Sequence, residues 1–173
     1  MTENIYNPEF VKGLFNRMSS SYERMNYITS FGFSIRWRRQ FLDSIPSTEE
    51  KVEIMDLLTG MGENWESVRR KFQNANVSAL DFSEEMIKSA ELKNKKHFNR
   101  NILVLQEDIL QNTLPSNHYD IVICAFGLKT FNPEQLKTLA IETNRILKPG
   151  GKFSFVEVSK PESFILKFFY GFY

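Results

Sequence analysis

Val52-Glu53-Ile54-Met55-Asp56-Leu57-Leu58-Thr59-Gly60-Met61-Gly62-Glu63 is an apolar run that breaks into two glycines one residue apart. Val52 to Leu57 predicts a strand. The glycines predict a tight turn where backbone approaches a ligand and presents amide N–H groups to it. Asn64 to Gln73 then takes up helical spacing, which makes a strand–loop–helix unit. Four more apolar runs follow, at Val77 to Leu80, Ile102 to Leu105, Tyr119 to Ala125 and Lys152 to Val158. Helical segments at Glu84 to Lys93 and Pro133 to Leu147 separate them. Such alternation predicts an α/β fold, Rossmann-like, with a mostly parallel sheet flanked by helices.

Local signals punctuate this register. Ser83 followed by Glu84 and Glu85 reads as a capping hydroxyl and then acids in a positive first turn. Lys148-Pro149-Gly150-Gly151 is expected to close the long helix, with glycine in the left-handed cap. Ahead of the sheet, Val11, Leu14, Phe15 and Met18 recur at helical spacing. Residues 1–48 are therefore expected to form a helical cap that packs on the sheet or covers a site. Residues 49–163 are read as the α/β domain and 164–173 as an aromatic tail.

With 173 residues, 42% of them hydrophobic, the chain suits one domain with a sizeable core. A net charge of +1 without a basic stripe argues against nucleic acid, so a small molecule is the expected partner. Cys124 as the single cysteine excludes an internal disulfide, and the N-terminus carries no secretory pattern, so the cytoplasm is the expected location. No apolar run approaches the length of a membrane-spanning helix. The tail from Phe164 to Tyr173 has three readings: unfinished core, contact with a greasy substrate, or peripheral contact with a lipid surface.

In an open parallel sheet, ligands bind beyond the carboxyl ends of the strands. The first strand ends in Asp56 and the loop Thr59, Gly60, Gly62. The second ends in Asp81 and Phe82, with Asp81 able to accept the hydroxyls of a ribose 19 residues past Gly62. Asp108, just past the third strand, is placed to accept from an exocyclic amine such as that of adenine. Trp65 stands where a dinucleotide fingerprint needs a third small residue, and no triphosphate loop is present. A single nucleoside bearing a zwitterionic tail, S-adenosyl-L-methionine (SAM), meets these residues without a third glycine. A tight turn with two helix-capping aspartates is the alternative.

Three separated segments then resemble the ubiquinone/menaquinone biosynthesis C-methyltransferases. Residues 22–37, YERMNYITSFGFSIRW, are similar to the family's Y-D-x-M-N-x-x-x-S-x-G-x-H-x-x-W. Residues 125–130, AFGLKT, are similar to A-F-G-L-R-N, and the third segment runs from Arg145 through Lys148-Pro149-Gly150-Gly151 to Pro161. The resemblance implies methyl transfer from SAM to a quinol ring carbon, that is, to a small, aromatic and lipophilic acceptor. It implies contacts to SAM from Asp81, Asp108 and Ile109, with Ala125 lining the pocket. It also suggests that Tyr22 covers the methionine end and that Arg38 pairs with the carboxylate; core tyrosine and exposed arginine are the competing accounts. Glu23, Ser34, Lys129, Thr130, Leu58 and Met61 depart from the family pattern, which leaves open another small-molecule acceptor or a non-catalytic SAM-binding protein. The family continues for about another strand, helix and hairpin, so a fragment or a domain-swapped homo-oligomer is expected.

For catalysis, Lys129 past the fourth strand is placed to stabilise a phenolate, unless it is simply a solvated loop lysine. Glu157, near the end of the fifth strand, is either a base or an acceptor for loop N–H groups. Tyr22 joins them on the strength of the resemblance. His97 and His118 fall at the amino ends of strands, away from the expected cleft. No His, Asp and Glu cluster has metal-ligand spacing, so no metal is expected.

Overall fold

A computed structural model describes residues 6–18 and 33–158. Tyr22 lies outside them. The elements are α1 (Pro8–Met18), α2 (Phe33–Gln40), a 3-10 turn (Phe41–Ser44), β1 (Glu53–Leu57), α3 (Trp65–Lys71), β2 (Asn76–Asp81), α4 (Glu84–His97), β3 (Ile102–Gln106), β4 (Tyr119–Ala125), a second 3-10 turn (Leu128–Thr130), α5 (Pro133–Ile146) and β5 (Leu147–Val156).

All five strands are parallel, in the order β3-β2-β1-β4-β5. The order reverses between β1 and β4, and that switch point opens a crevice at the carboxyl ends of the two central strands. Successive side chains of a strand face opposite ways, so each strand feeds two cores. Ile121, Ile123 and Ala125 of β4 join Trp65, Val68 and Ala90 on one face. Val122 and Cys124 join Leu139 and Ile146 on the other. The first core also takes in Phe41, Leu42 and Ile45, so the 3-10 turn after α2 is seated on the sheet. Ser154 ties it there by donating to the Phe41 carbonyl at 2.6 Å.

Helix starts follow local chemistry. Ser83 Oγ accepts from the Met86 amide at 3.4 Å, with Glu84 and Glu85 in the first turn of α4. Asn132 and Gln135 form a reciprocal capping box ahead of Pro133 at the head of α5. The end of α5 departs from expectation. Its C-cap, Leu147, is extended, and β5 begins at once. The left-handed glycine, Gly150 at φ 81°, instead shapes an irregularity within β5, where the register jumps from Tyr119↔Leu147 to Ile121↔Lys152. Among the described residues, no helix is long and apolar enough to cross a membrane.

Candidate functional site

The crevice contains two adjoining compartments. One is lined by Arg38, Thr59, Gly60, Glu63, Asp81 and Ala125, among others. The second is lined by Asp108, Ile109 and Leu110 together with Tyr6, Pro8 and Val11 from the α1 region. Leu58, Phe82 and Thr130 border both and form the waist between them.

The loop after β1 builds the floor. Gly60 and Gly62 both have positive φ, 58° and 79°. Their amides are not turned toward a ligand as expected. Gly60 N–H donates to Asp81 Oδ2 at 2.9 Å, and Gly62 N–H donates to the Thr59 carbonyl at 3.0 Å. The loop spends these donors on fixing Asp81, which also accepts from Ser83 N–H at 2.9 Å. Burial raises the Asp81 pKa to about 6 against the pull of these amide bonds.

Behind the loop lies a buried polar network. Asp56 accepts from Thr59 Oγ1 at 2.6 Å and from Asn64 Nδ2 at 2.9 Å. The indole of Trp65 donates to Thr59 Oγ1 at 2.9 Å. Asn64 Oδ1 in turn accepts from Arg38 at 3.0 Å, linking α2 to the loop. Burial raises the pKa of Asp56 to about 6, opposed by its two side-chain hydrogen bonds and the Arg38 charge. Asp56 therefore sits beneath the cleft and shapes it without lining it. Gly62 is likewise absent from the lining. A Cβ there would lie 2.6 Å from the Trp65 ring, so this glycine exists to admit the indole.

Of the remaining expected residues, Arg38, Thr59, Gly60, Asp81, Phe82 and Ala125 line the first compartment. Phe82, Asp108 and Ile109 line the second. Asp108 makes a local turn by accepting from Leu110 N–H at 2.9 Å. Lys129 and Glu157 lie outside both compartments. Lys129 is exposed, and its amide donates to Glu157 Oε2 at 3.0 Å, while the other carboxylate oxygen accepts from Val158 N–H at 2.8 Å. Glu157 thus acts as the acceptor for loop N–H groups. His97 ends α4 and His118 precedes β4, both at the opposite rim from the cleft.

Leu58 and Glu63 belong to the loop read from the sequence as the cofactor cradle, though neither was singled out within it; Met86, Phe126, Gly127 and Thr130 were not assigned to the site. Glu63 sits 3.8 Å from Arg38, each side chain 11% exposed, so the first compartment sets one guanidinium against two carboxyl groups, Glu63 and Asp81. Leu58 and Phe126, the first residues beyond β1 and β4, hold positive φ of 53° and 64° without being glycine. Such strain of about 1–3 kcal/mol per residue concentrates at functional sites. The side chain of Leu58 lies over Gly127, where a Cβ would come within 2.4 Å of it. Only the one-residue overhang past each central strand could have signalled these positions. Among the described residues, no group of three or more His, Cys, Asp or Glu could hold a metal ion.

The sequence profile described as the ubiE/COQ5 methyltransferase family matches residues 3–173. A demethylmenaquinone methyltransferase of Listeria welshimeri is 29% identical over 155 residues, 88% of this chain and 64% of that protein. The ubiquinone/menaquinone biosynthesis C-methyltransferase UbiE of a Shewanella strain is 29% identical over 171 residues, 95% of this chain and 65% of its own length. The chain thus spans just under two thirds of these curated relatives. A SAM-dependent methyltransferase from Aquifex aeolicus superposes with a TM-score of 0.61 at 23% identity, covering 73% of this chain and 66% of that one.

Proposed function

Because the chain belongs to the ubiE/COQ5 methyltransferase family, we propose that its paired compartments hold SAM and that it methylates a ring carbon of a small, lipophilic quinol. One observation carries this reading. A fixed carboxylate, Asp81, faces one compartment and a second, Asp108, faces the other, with a shared waist between them. That is the layout a nucleoside with an amino-acid tail requires. Asp81 would take the ribose hydroxyls and Asp108 the adenine amine, with Phe82 and Ile109 as the apolar walls around the base. Arg38 and Glu63 would meet the carboxylate and the ammonium of the tail. The names of the curated relatives support the quinol acceptor.

SAM supplies an electrophilic methyl group on a sulfonium. The protein's task is then to align the acceptor and to keep water out. Ala125 and Phe126, both buried at the end of β4, give the cleft a dry wall. Glu157 lies outside both compartments, so proton removal from the acceptor hydroxyl falls to another group or to water.

Isothermal titration with S-adenosylhomocysteine tests the cofactor assignment, with one site per chain expected. Absence of binding by folded protein sinks it. Mass spectrometry of a reaction with demethylmenaquinol and SAM tests the acceptor: a gain of one methyl group is expected, and an unchanged quinol in the presence of bound cofactor rejects it.

A further inference from the structure

The cleft has an aromatic approach that the cofactor reading leaves unused. Phe33 and Trp37 lie one turn apart on α2 and stack with centroids 5.8 Å apart. Trp37 in turn meets Phe126 at 6.3 Å, and Phe126 lines the first compartment. The three rings form a ladder from the surface to the cleft. Its outer rungs are open, with Phe33 48% and Trp37 37% exposed, whereas Phe126 is buried. Large apolar side chains exposed together commonly mark a binding surface. The inner rung is held firmly. Phe126 has φ 64°, its amide donates to the Val156 carbonyl at 2.8 Å, and the Arg38 guanidinium lies 4.9 Å from its ring centroid.

We propose that Trp37, backed by Phe33, is the stacking wall that captures the planar ring of the methyl acceptor and delivers it against Phe126. The inference rests on the methyl-transfer reading and adds to it where the acceptor binds and why it should be aromatic. Aromatic pairs gain more than their buried area alone. A flat two-ring acceptor should therefore be preferred over a saturated one of equal size.

The chain's other tryptophan, Trp65, is fully buried, so the part of the emission change that Trp37→Ala abolishes reports Trp37. Wild type, Trp37→Phe and Trp37→Ala would be titrated with 1,4-dihydroxynaphthalene and with saturated 1-decalol, following emission and calorimetry. S-adenosylhomocysteine affinity would be measured alongside. Expected results are saturable quenching in wild type, a preference of about tenfold for the aromatic probe, and loss of that preference in Trp37→Ala. Trp37→Phe should retain most of it. S-adenosylhomocysteine affinity should stay within about twofold in both variants, and with the aromatic acceptor KM should rise more than kcat falls. Aromatic binding by Trp37→Ala within twofold of wild type overturns the proposal. So does quenching of Trp37 by phospholipid vesicles but not by the two-ring probe, which would make the ladder a lipid contact. Failure of wild type to bind S-adenosylhomocysteine sinks the methyl-transfer reading itself.

Discussion

In the proposed cofactor site Asp81 would have to be ionised to accept both ribose hydroxyls, and burial works against that. Asp81 has its pKa raised to about 6 by desolvation, even with amide N–H donors from Gly60 and Ser83. Its ordinary value in an unfolded chain is near 4. A raised folded value means that the folded state favours the protonated form. Its stabilising contribution is thus full below pH 4 and is lost as pH rises through 6. Asp56 has the same sign and the same window. Cofactor binding should run the other way, because only ionised Asp81 accepts both hydroxyls. S-adenosylhomocysteine affinity is expected to fall about tenfold per unit as pH drops below 6, measured by calorimetry between pH 5 and 8. Asp81→Asn should bind weakly at every pH; an Asp81→Asn profile with the wild-type slope would reassign the titration to Asp56. The sequence put Asp81 at the end of the second strand, and there it lines the cleft. It did not show that Asp56 is covered by Thr59 and Asn64, because both partners are polar loop residues with no spacing signature of their own.

At the scale of elements, the β1–α3 connection shows two glycines with different duties. A Cβ at Gly60 would meet the Glu63 carboxylate at 2.9 Å, the far end of a flexible side chain. A Cβ at Gly62 would strike the rigid Trp65 ring at 2.6 Å, with φ 79° adding backbone strain. Gly62→Ala is therefore expected to destabilise the fold by roughly 2–4 kcal/mol and Gly60→Ala by about 1 kcal/mol, read from urea unfolding midpoints. Equal costs would contradict the close packing of the indole. The sequence presents G-x-G as one motif, but which glycine serves the core depends on where Trp65 folds back. Trp65 stands where a dinucleotide fingerprint needs a small residue, and its buried indole braces the loop through Thr59. The end of α5 carries a similar lesson. The glycine pair after Pro149 was legible as a break, while the use of Gly150 in a strand irregularity depended on pairing with β4.

For the whole molecule, α1 closes the second compartment from outside the sheet. Tyr6, Pro8 and Val11 line that compartment, and hydrogen bonds at both ends fasten the segment. Asn16 Oδ1 accepts from Ser83 Oγ at 2.7 Å, and Gln135 Nε2 donates to the Tyr6 carbonyl at 3.2 Å. Both anchors join residues far apart in the chain, at the heads of α4 and α5. Asn16→Ala should loosen this cover and speed S-adenosylhomocysteine release several-fold, with a smaller effect on unfolding. Stopped-flow displacement checks it, and an unchanged release rate would show that α1 does not gate the site.

The sequence by itself determined the strands, their alternation with helices in a mostly parallel sheet, and the carboxylates that mark the strand ends. Those features are local: side-chain periodicity, helix caps and the conformational freedom of glycine act within a few residues. Tertiary structure alone decided which of these residues face the cleft. Asp56 and Gly62 turn to the core, Glu157 is consumed by loop amides, and Glu63, Leu58 and Phe126 enter the lining. The reason is geometric. At the switch point between β1 and β4, loops from distant parts of the chain converge, and the pairing of their polar groups depends on distances that no spacing along the chain encodes.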